Sequence, residues 1–158
     1  MLGIKEIASF IPYNRESNYS KTEKFAISEE FINEKIGVRN ITIKDSSDDT
    51  SDLCVKAFNN LSAKTGIQPK DIDFLTVVTQ NPDFNIPQTS AIVHGKLGIP
   101  ENCASFDISL GCSGFVYGLS ITQSFMHANN LKTGLLFTAD PYSKIINPDD
   151  KNTSLLFG

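Results

Sequence analysis

The sequence predicts a layered α/β fold built on a parallel-type sheet. Three observations carry that prediction. Apolar runs at 72–79, 104–110 and 133–139 read as strands covered on both faces, since such strands need no polar alternate positions. Helical spacing fills the intervals between them. Strand–helix alternation of this kind packs helices onto the faces of a sheet. At 158 residues the chain suits one domain, 1–158, or one half of a larger one, and can bury a core.

The elements follow in order. Residues 2–11 alternate loosely and read as a strand closed by Pro12. Over 23–36, Phe25, Ile27, Phe31 and Ile32 have the spacing of one or two short helices, ended by Gly37. Residues 38–43 read as another strand, and 44–51 as a polar, acidic loop. Asp52 is the expected cap of the next helix, with Leu53, Val55, Ala57, Phe58 and Leu61 on its apolar face and Gly66 at its end. Asn81-Pro82-Asp83 is a turn, and a helix is expected over 88–97. The long helix over 113–129 is apolar nearly all round: Phe115, Val116, Leu119, Ile121 and Phe125, with Gly114, Gly118 and Ser120 for close approach. A helix without a polar face is predicted to be buried. Asp140-Pro141 ends the third covered strand. At Leu155-Leu156-Phe157-Gly158 the sequence reads as the start of a strand or turn, so the chain is expected to be the front part of something longer.

Composition narrows the function. The net charge of −4 argues against nucleic-acid binding, which needs a basic footprint. No apolar run approaches the ~20 residues that cross a bilayer, so no membrane association is expected. Met1-Leu2-Gly3-Ile4-Lys5-Glu6 lacks the basic and apolar regions of a secretory signal. The three cysteines, Cys54, Cys103 and Cys112, show no metal-type spacing, and there are two histidines. A reduced cytoplasmic protein without a metal site is the expectation.

One segment carries chemistry. Phe106-Asp107-Ile108-Ser109-Leu110-Gly111-Cys112-Ser113-Gly114-Phe115-Val116-Tyr117-Gly118-Leu119 runs from a strand through a small-residue turn into the long helix. It sets a thiol at the first helical turn, where unpaired N–H groups and the positive end of the helix dipole favour a thiolate. Covalent acyl chemistry on Cys112 is the reading. Cys54 and Cys103 read as buried and inert. His127 falls near the far end of the same helix, roughly 22 Å away at 1.5 Å per residue, beyond hydrogen-bond reach of Cys112. It reads as a residue favourable to the helix C-terminus. His94 reads as structural.

The segment around Cys112 is similar to the nucleophile segment of the thiolase-fold condensing enzymes. Glu30-Phe31-Ile32 with Gly37-Val38-Arg39 resembles their early acidic-aromatic and Gly-Ile-Arg segments. Pro148-Asp149-Asp150-Lys151 and Leu156-Phe157-Gly158 resemble the stretch leading into their Phe-Gly-Asp-Gly-Ala turn. With four such segments in order, the chain resembles the N-terminal half of β-ketoacyl-acyl carrier protein synthase III. The resemblance implies an α/β thiolase-like half, with a mixed five-stranded sheet and a buried central helix, truncated before its last strand. It implies that the C-terminal half of the family is absent from this chain.

The same resemblance implies the roles. Cys112 takes an acyl group from acyl-CoA as a thioester, with its own N–H donating to the oxyanion. Malonyl-acyl carrier protein then loses carbon dioxide and attacks that thioester. The supporting histidine and asparagine lie in the other half of the family, so the chain alone is expected not to condense. Phe31 corresponds to a tryptophan that stacks on the adenine of CoA, Lys151 to an arginine on the other side of that base, and Lys35 to an arginine near the CoA phosphates. These departures leave either acyl-CoA or an acyl-carrier-protein thioester as donor. Lysine lacks the flat guanidinium face. Arg39 matches an arginine that is structural or carrier-facing. Ile86 corresponds to an often aromatic position that lines the acyl pocket across a dimer interface, implying a longer or branched starter. The resemblance implies a homodimer through residues 81–97 and the neighbouring strand, with no cofactor beyond the acyl substrates. Other thiolase-fold acyl transfer (hydroxymethylglutaryl-CoA-synthase-like, quinolone, polyketide or ester-forming) and a non-catalytic scaffold half remain as alternatives.

Overall fold

The structure, a computed structural model, describes residues 3–158. Along the chain it forms β1 (Asn14–Ser17), α1 (Thr22–Phe25), α2 (Glu29–Phe31), β2 (Asn40–Ile43), α3 (Thr50–Thr65), β3 (Phe74–Val78), α4 (Thr89–Leu97), β4 (Ala104–Ile108), α5 (Gly114–Ala128), β5 (Gly134–Thr138) and α6 (Lys151–Ser154). The described residues fall into two units: 3–10 with 49–140, and 11–48 with 141–158.

The first unit is a parallel sheet of order β4-β3-β5. Phe74 registers with Ala104 on one side and with Gly134 on the other. All five residues of the central strand are buried, as its unbroken apolar pattern predicts. Alternation sends Leu75 and Val77 to one face, where they join Cys54, Phe58, Val93, Ile99 and Leu135 in the core. Fully burying such a side chain stabilises by about 1.5–3 kcal/mol. Phe74 faces the other way, 4.8 Å from the Phe125 ring of α5 and 5.2 Å from Phe106 of β4. The buried Thr76 hydroxyl is satisfied by the Phe106 carbonyl at 2.9 Å.

Four expectations need correcting here. The strand expected over 2–11 does not form among its described residues: Ile4, Ile7 and Ile11 are exposed. Residues 6–9 are held instead by side chains of α3, Lys64 to Glu6 Oε1 and Asn60 to the Ser9 carbonyl, both at 2.9 Å. Among the described residues this sheet therefore has three strands, against the five that the resemblance implies. β4 is only half-buried, because it lies at the edge of the sheet. The cap of α3 is Asp49, not Asp52. The Asp49 carboxylate accepts from Thr50 N at 2.7 Å, and Asp52 closes the box by accepting from Asp49 N at 2.9 Å.

The long helix also differs from expectation. Gly114, Gly118, Thr122 and Met126 form its buried stripe. On the opposite side Phe115, Val116 and Tyr117 are 48%, 68% and 58% exposed. The chain's own sheet covers one face of α5 and leaves an apolar face open, so the helix is not buried all round.

The second unit pairs β1 with β2 in antiparallel register, Asn14 opposite Ile43. Nothing in Asn14-Arg15-Glu16-Ser17 marks a strand in the sequence. The expected helical stretch is broken at Ala26, whose φ of 50° is left-handed. After α2 the backbone widens into a π turn, Ile32–Ile36, closed by Gly37 at φ 74°. Buried Asn18 ties the unit together, its amide donating to the Val38 and Leu155 carbonyls at 2.8 Å each. Lys21 donates to the Ser154 carbonyl at the end of α6, at 2.8 Å. Among the described residues, no helix is long and apolar enough to cross a membrane.

Candidate active site

Residues 109–113 join β4 to α5 at the carboxyl end of the sheet. Thr79 N donates to the Ile108 carbonyl at 3.1 Å, and Gly114 N to Gly111 O at 2.7 Å. The turn is tight because α5 begins against β3. A Cβ on Gly114 would sit 2.5 Å from Val78 Cγ1, so only glycine lets the backbone approach this closely. Ser113, at the cap position, makes no side-chain bond to the helix.

Cys112 is a free, exposed thiol on this turn. The other two are buried. Burial pushes the Cys54 thiol up to about 12, with the Asp83 and Asp107 charges adding to the effect. Burial pushes Cys103 up to about 11, with Asp73 contributing. Neither is available as a thiolate near neutral pH, so the structure separates one accessible sulfur from two inert ones. His94 lies 3.1 Å from the Pro100 carbonyl through Nε2, a structural contact. His127 is exposed in the last turn of α5.

Two carboxylates secure the segment that carries Ile86. Asp107 accepts from Thr89 N at 2.7 Å and Ser90 N at 2.8 Å, capping α4 from the neighbouring strand. Asp83 accepts from Ser51 N at 2.9 Å and from the Thr89 hydroxyl at 3.3 Å. Between these anchors Phe84 is 62% and Ile86 89% exposed. A cleft of about 250 Å³ opens beside them, lined by Thr79, Phe84, Gln88, Asp107 and Ser109. Ser109 stands three residues before Cys112 in the sequence. Asp107 and Asp83 escaped the sequence reading. A lone charge inside the apolar run 104–110 was the available signal for Asp107.

Phe31, Lys35 and Lys151 belong to the second unit. Phe31 is half-buried, and its N–H donates to the Ser28 hydroxyl at 3.1 Å. Lys151 Nζ stands 6.0 Å from the centre of its ring, within cation–π range. The structure thus brings together two of the three residues expected to hold a nucleotide. Lys35 is exposed on the π turn. Arg39 donates through Nε to Asn33 Oδ1 at 3.0 Å, an atom that also accepts from the Tyr19 hydroxyl at 2.7 Å.

Known proteins share both sequence and fold. The family model described as 3-Oxoacyl-[acyl-carrier-protein (ACP)] synthase III matches residues 106–158. The β-ketoacyl-[acyl-carrier-protein] synthase III of Caldanaerobacter subterraneus subsp. tengcongensis is 39% identical over 156 residues, covering 99% of this chain and 47% of that protein. A 2.1 Å crystal structure of a 3-oxoacyl-(acyl-carrier-protein) synthase III superposes with a TM-score of 0.92 at 33% identity, covering 99% of this chain and 47% of the other. The synthase III structure from Thermus thermophilus gives a TM-score of 0.92 at 27% identity, covering 99% and 48%. The chain spans about half the length of the curated relatives it matches. In sequence and fold the chain is therefore similar to the N-terminal half of the synthase III enzymes.

Proposed function

We propose that Cys112 is the nucleophile of an acyl-transfer site. Its sulfur attacks the carbonyl of an acyl thioester. The thiol proton leaves with the departing CoA or carrier sulfur, and the acyl group stays on Cys112 as a new thioester. The backbone N–H of Cys112 donates to the transient oxyanion. In the whole protein, malonyl-acyl carrier protein loses carbon dioxide and its carbanion attacks that thioester, breaking the acyl–sulfur bond to release the Cys112 thiolate and leaving the 3-oxoacyl group on the carrier protein. The observation that carries this reading is the single exposed thiol on a strand-to-helix turn, beside two buried ones.

The pairing of Phe31 with Lys151 supports a nucleotide-bearing donor such as acyl-CoA. The exposure of Ile86 supports a role at a surface completed by a second copy, with edge strand β4 beside it. An isoleucine where an aromatic ring often stands leaves room for a starter longer than acetyl or branched. The open face of α5 fits a helix whose second packing surface comes from the half that the relatives possess and this chain does not span.

Incubation with acyl-CoA donors of increasing length, followed by peptide mass spectrometry, tests the assignment. An acyl adduct on the peptide containing Cys112, absent from Cys112→Ala, is expected. Acylation of Cys54 or Cys103 in its place defeats the proposal, and a strict acetyl preference defeats the reading of Ile86.

A further inference from the structure

We infer that Asp140 is a positioning residue for Cys112, acting through Gln80 and Gly111. The inference rests on Cys112 being the nucleophile and adds a residue outside the nucleophile segment. Asp140 lies two residues past the end of β5, and its Oδ1 gathers three donors from just beyond β3: Gln80 N at 2.7 Å, Asn81 Nδ2 at 3.0 Å and the Thr79 hydroxyl at 3.2 Å. Thr79 and Asn81 are nearly fully buried, at 3% and 2% exposure. One carboxylate oxygen therefore sets the path of residues 79–81, since charge-assisted bonds to N–H groups are the strong ones.

That path meets the nucleophile turn. A Cβ on Gly111 would lie 2.6 Å from Gln80 Oε1 and 3.3 Å from its Cδ, so the Gln80 side chain rests against the backbone just before Cys112. On the other side, Gly114 is pressed against Val78. Residues 111–114 are thus held between the Gln80 side chain and β3, and Asp140 holds Gln80 in place. Releasing the carboxylate lets residues 79–81 shift, frees Gly111, and moves the sulfur away from the start of α5.

Alkylation by iodoacetamide reads this without any acyl donor, so a failed acylation assignment leaves the result interpretable. The whole chain is treated between pH 6 and 9, and the three thiols are followed separately by peptide mass spectrometry. In Asp140→Ala the Cys112 rate at pH 7 falls about threefold, and its pH–rate profile moves up by about half a unit. Cys54 and Cys103 stay as protected as in the unaltered chain. Asp140→Asn, which keeps an acceptor at Oδ1, restores most of the rate. Gln80→Ala reproduces the slowing, and the double variant adds nothing further, as two links of one route should. Gln80→Ala also carries the test if Asp140→Ala fails to fold. An unmoved Cys112 profile in folded Asp140→Ala or Gln80→Ala overturns the inference. So does parallel exposure of all three thiols, which marks general loosening.

Discussion

The helices α3 and α5 are of similar length and lie in the same unit, yet they begin in opposite ways. Helix α3 starts on a complete capping box, Asp49 to Thr50 N and Asp52 back to Asp49 N, and ends on left-handed Gly66 at φ 76°. Its buried residues and its charged ones are drawn from different sides. Helix α5 has no side-chain cap, no acidic residue in its first turn and an apolar face open to solvent. What holds its start is contact, Gly114 against Val78. A scaffold helix spends its N-terminal N–H groups on its own caps. Helix α5 leaves that end uncapped and relies on packing to stay put, which suits the nucleophile proposed there.

The contrast can be broken at each start. The largest effect is expected from Gly114→Val. The new side chain meets β3 and forces the helix off the sheet, lowering stability by about 1–3 kcal/mol, read as a fall in urea midpoint with the slope unchanged. Asp49→Ala removes a working cap and costs about 1 kcal/mol. Ser113→Ala, at the matching position of α5, stays within about 0.5 kcal/mol because no cap bond is lost.

Acid gives the most local test. For Asp52, partial burial works to raise the carboxyl value, but the bonds from Lys96 and from Asp49 N outweigh it and hold the value below the ordinary one. A depressed folded value means stability that is present above the unfolded value of about 3.9 and is lost as pH falls through the folded one. Partial exposure limits the effect to less than about 1 kcal/mol. Below about pH 4, amide exchange in the first turn of α3 should therefore accelerate more than in the first turn of α5, and Asp52→Asn should remove the difference.

The sheet and its helices were legible because burial on two faces leaves uninterrupted apolar runs, and burial on one face leaves helical spacing. Strands β3, β4 and β5 fall within the runs that mark them, and α4 within its predicted span. The turn carrying Cys112 was legible because small residues, a thiol and a new periodicity coincide. What escaped has a common cause. Strand β1 is entirely polar and exists only because β2 pairs with it. Residues 3–11 carry the loose alternation of a strand but form none. Asp48, Asp49 and Asp52 are interchangeable as letters, and only the departure of the backbone from the helix shows which one caps. Asp107 and Asp140 act on residues far away in sequence, so their partners cannot be guessed from neighbours. The open face of α5 reads as buried, since apolarity records what a helix is suited to touch and not what the chain itself supplies.

The order of the sheet carries a lesson about assembly. The ribosome makes the middle strand, β3, before either flanking strand, and each flank arrives only after a crossover helix. Until then the most water-averse ladder in the molecule waits with both edges unmatched. Parallel pairing across such intervals is intrinsically slow, so a nascent copy spends its most adhesive interval before Thr138 has emerged. Chaperone demand should peak there.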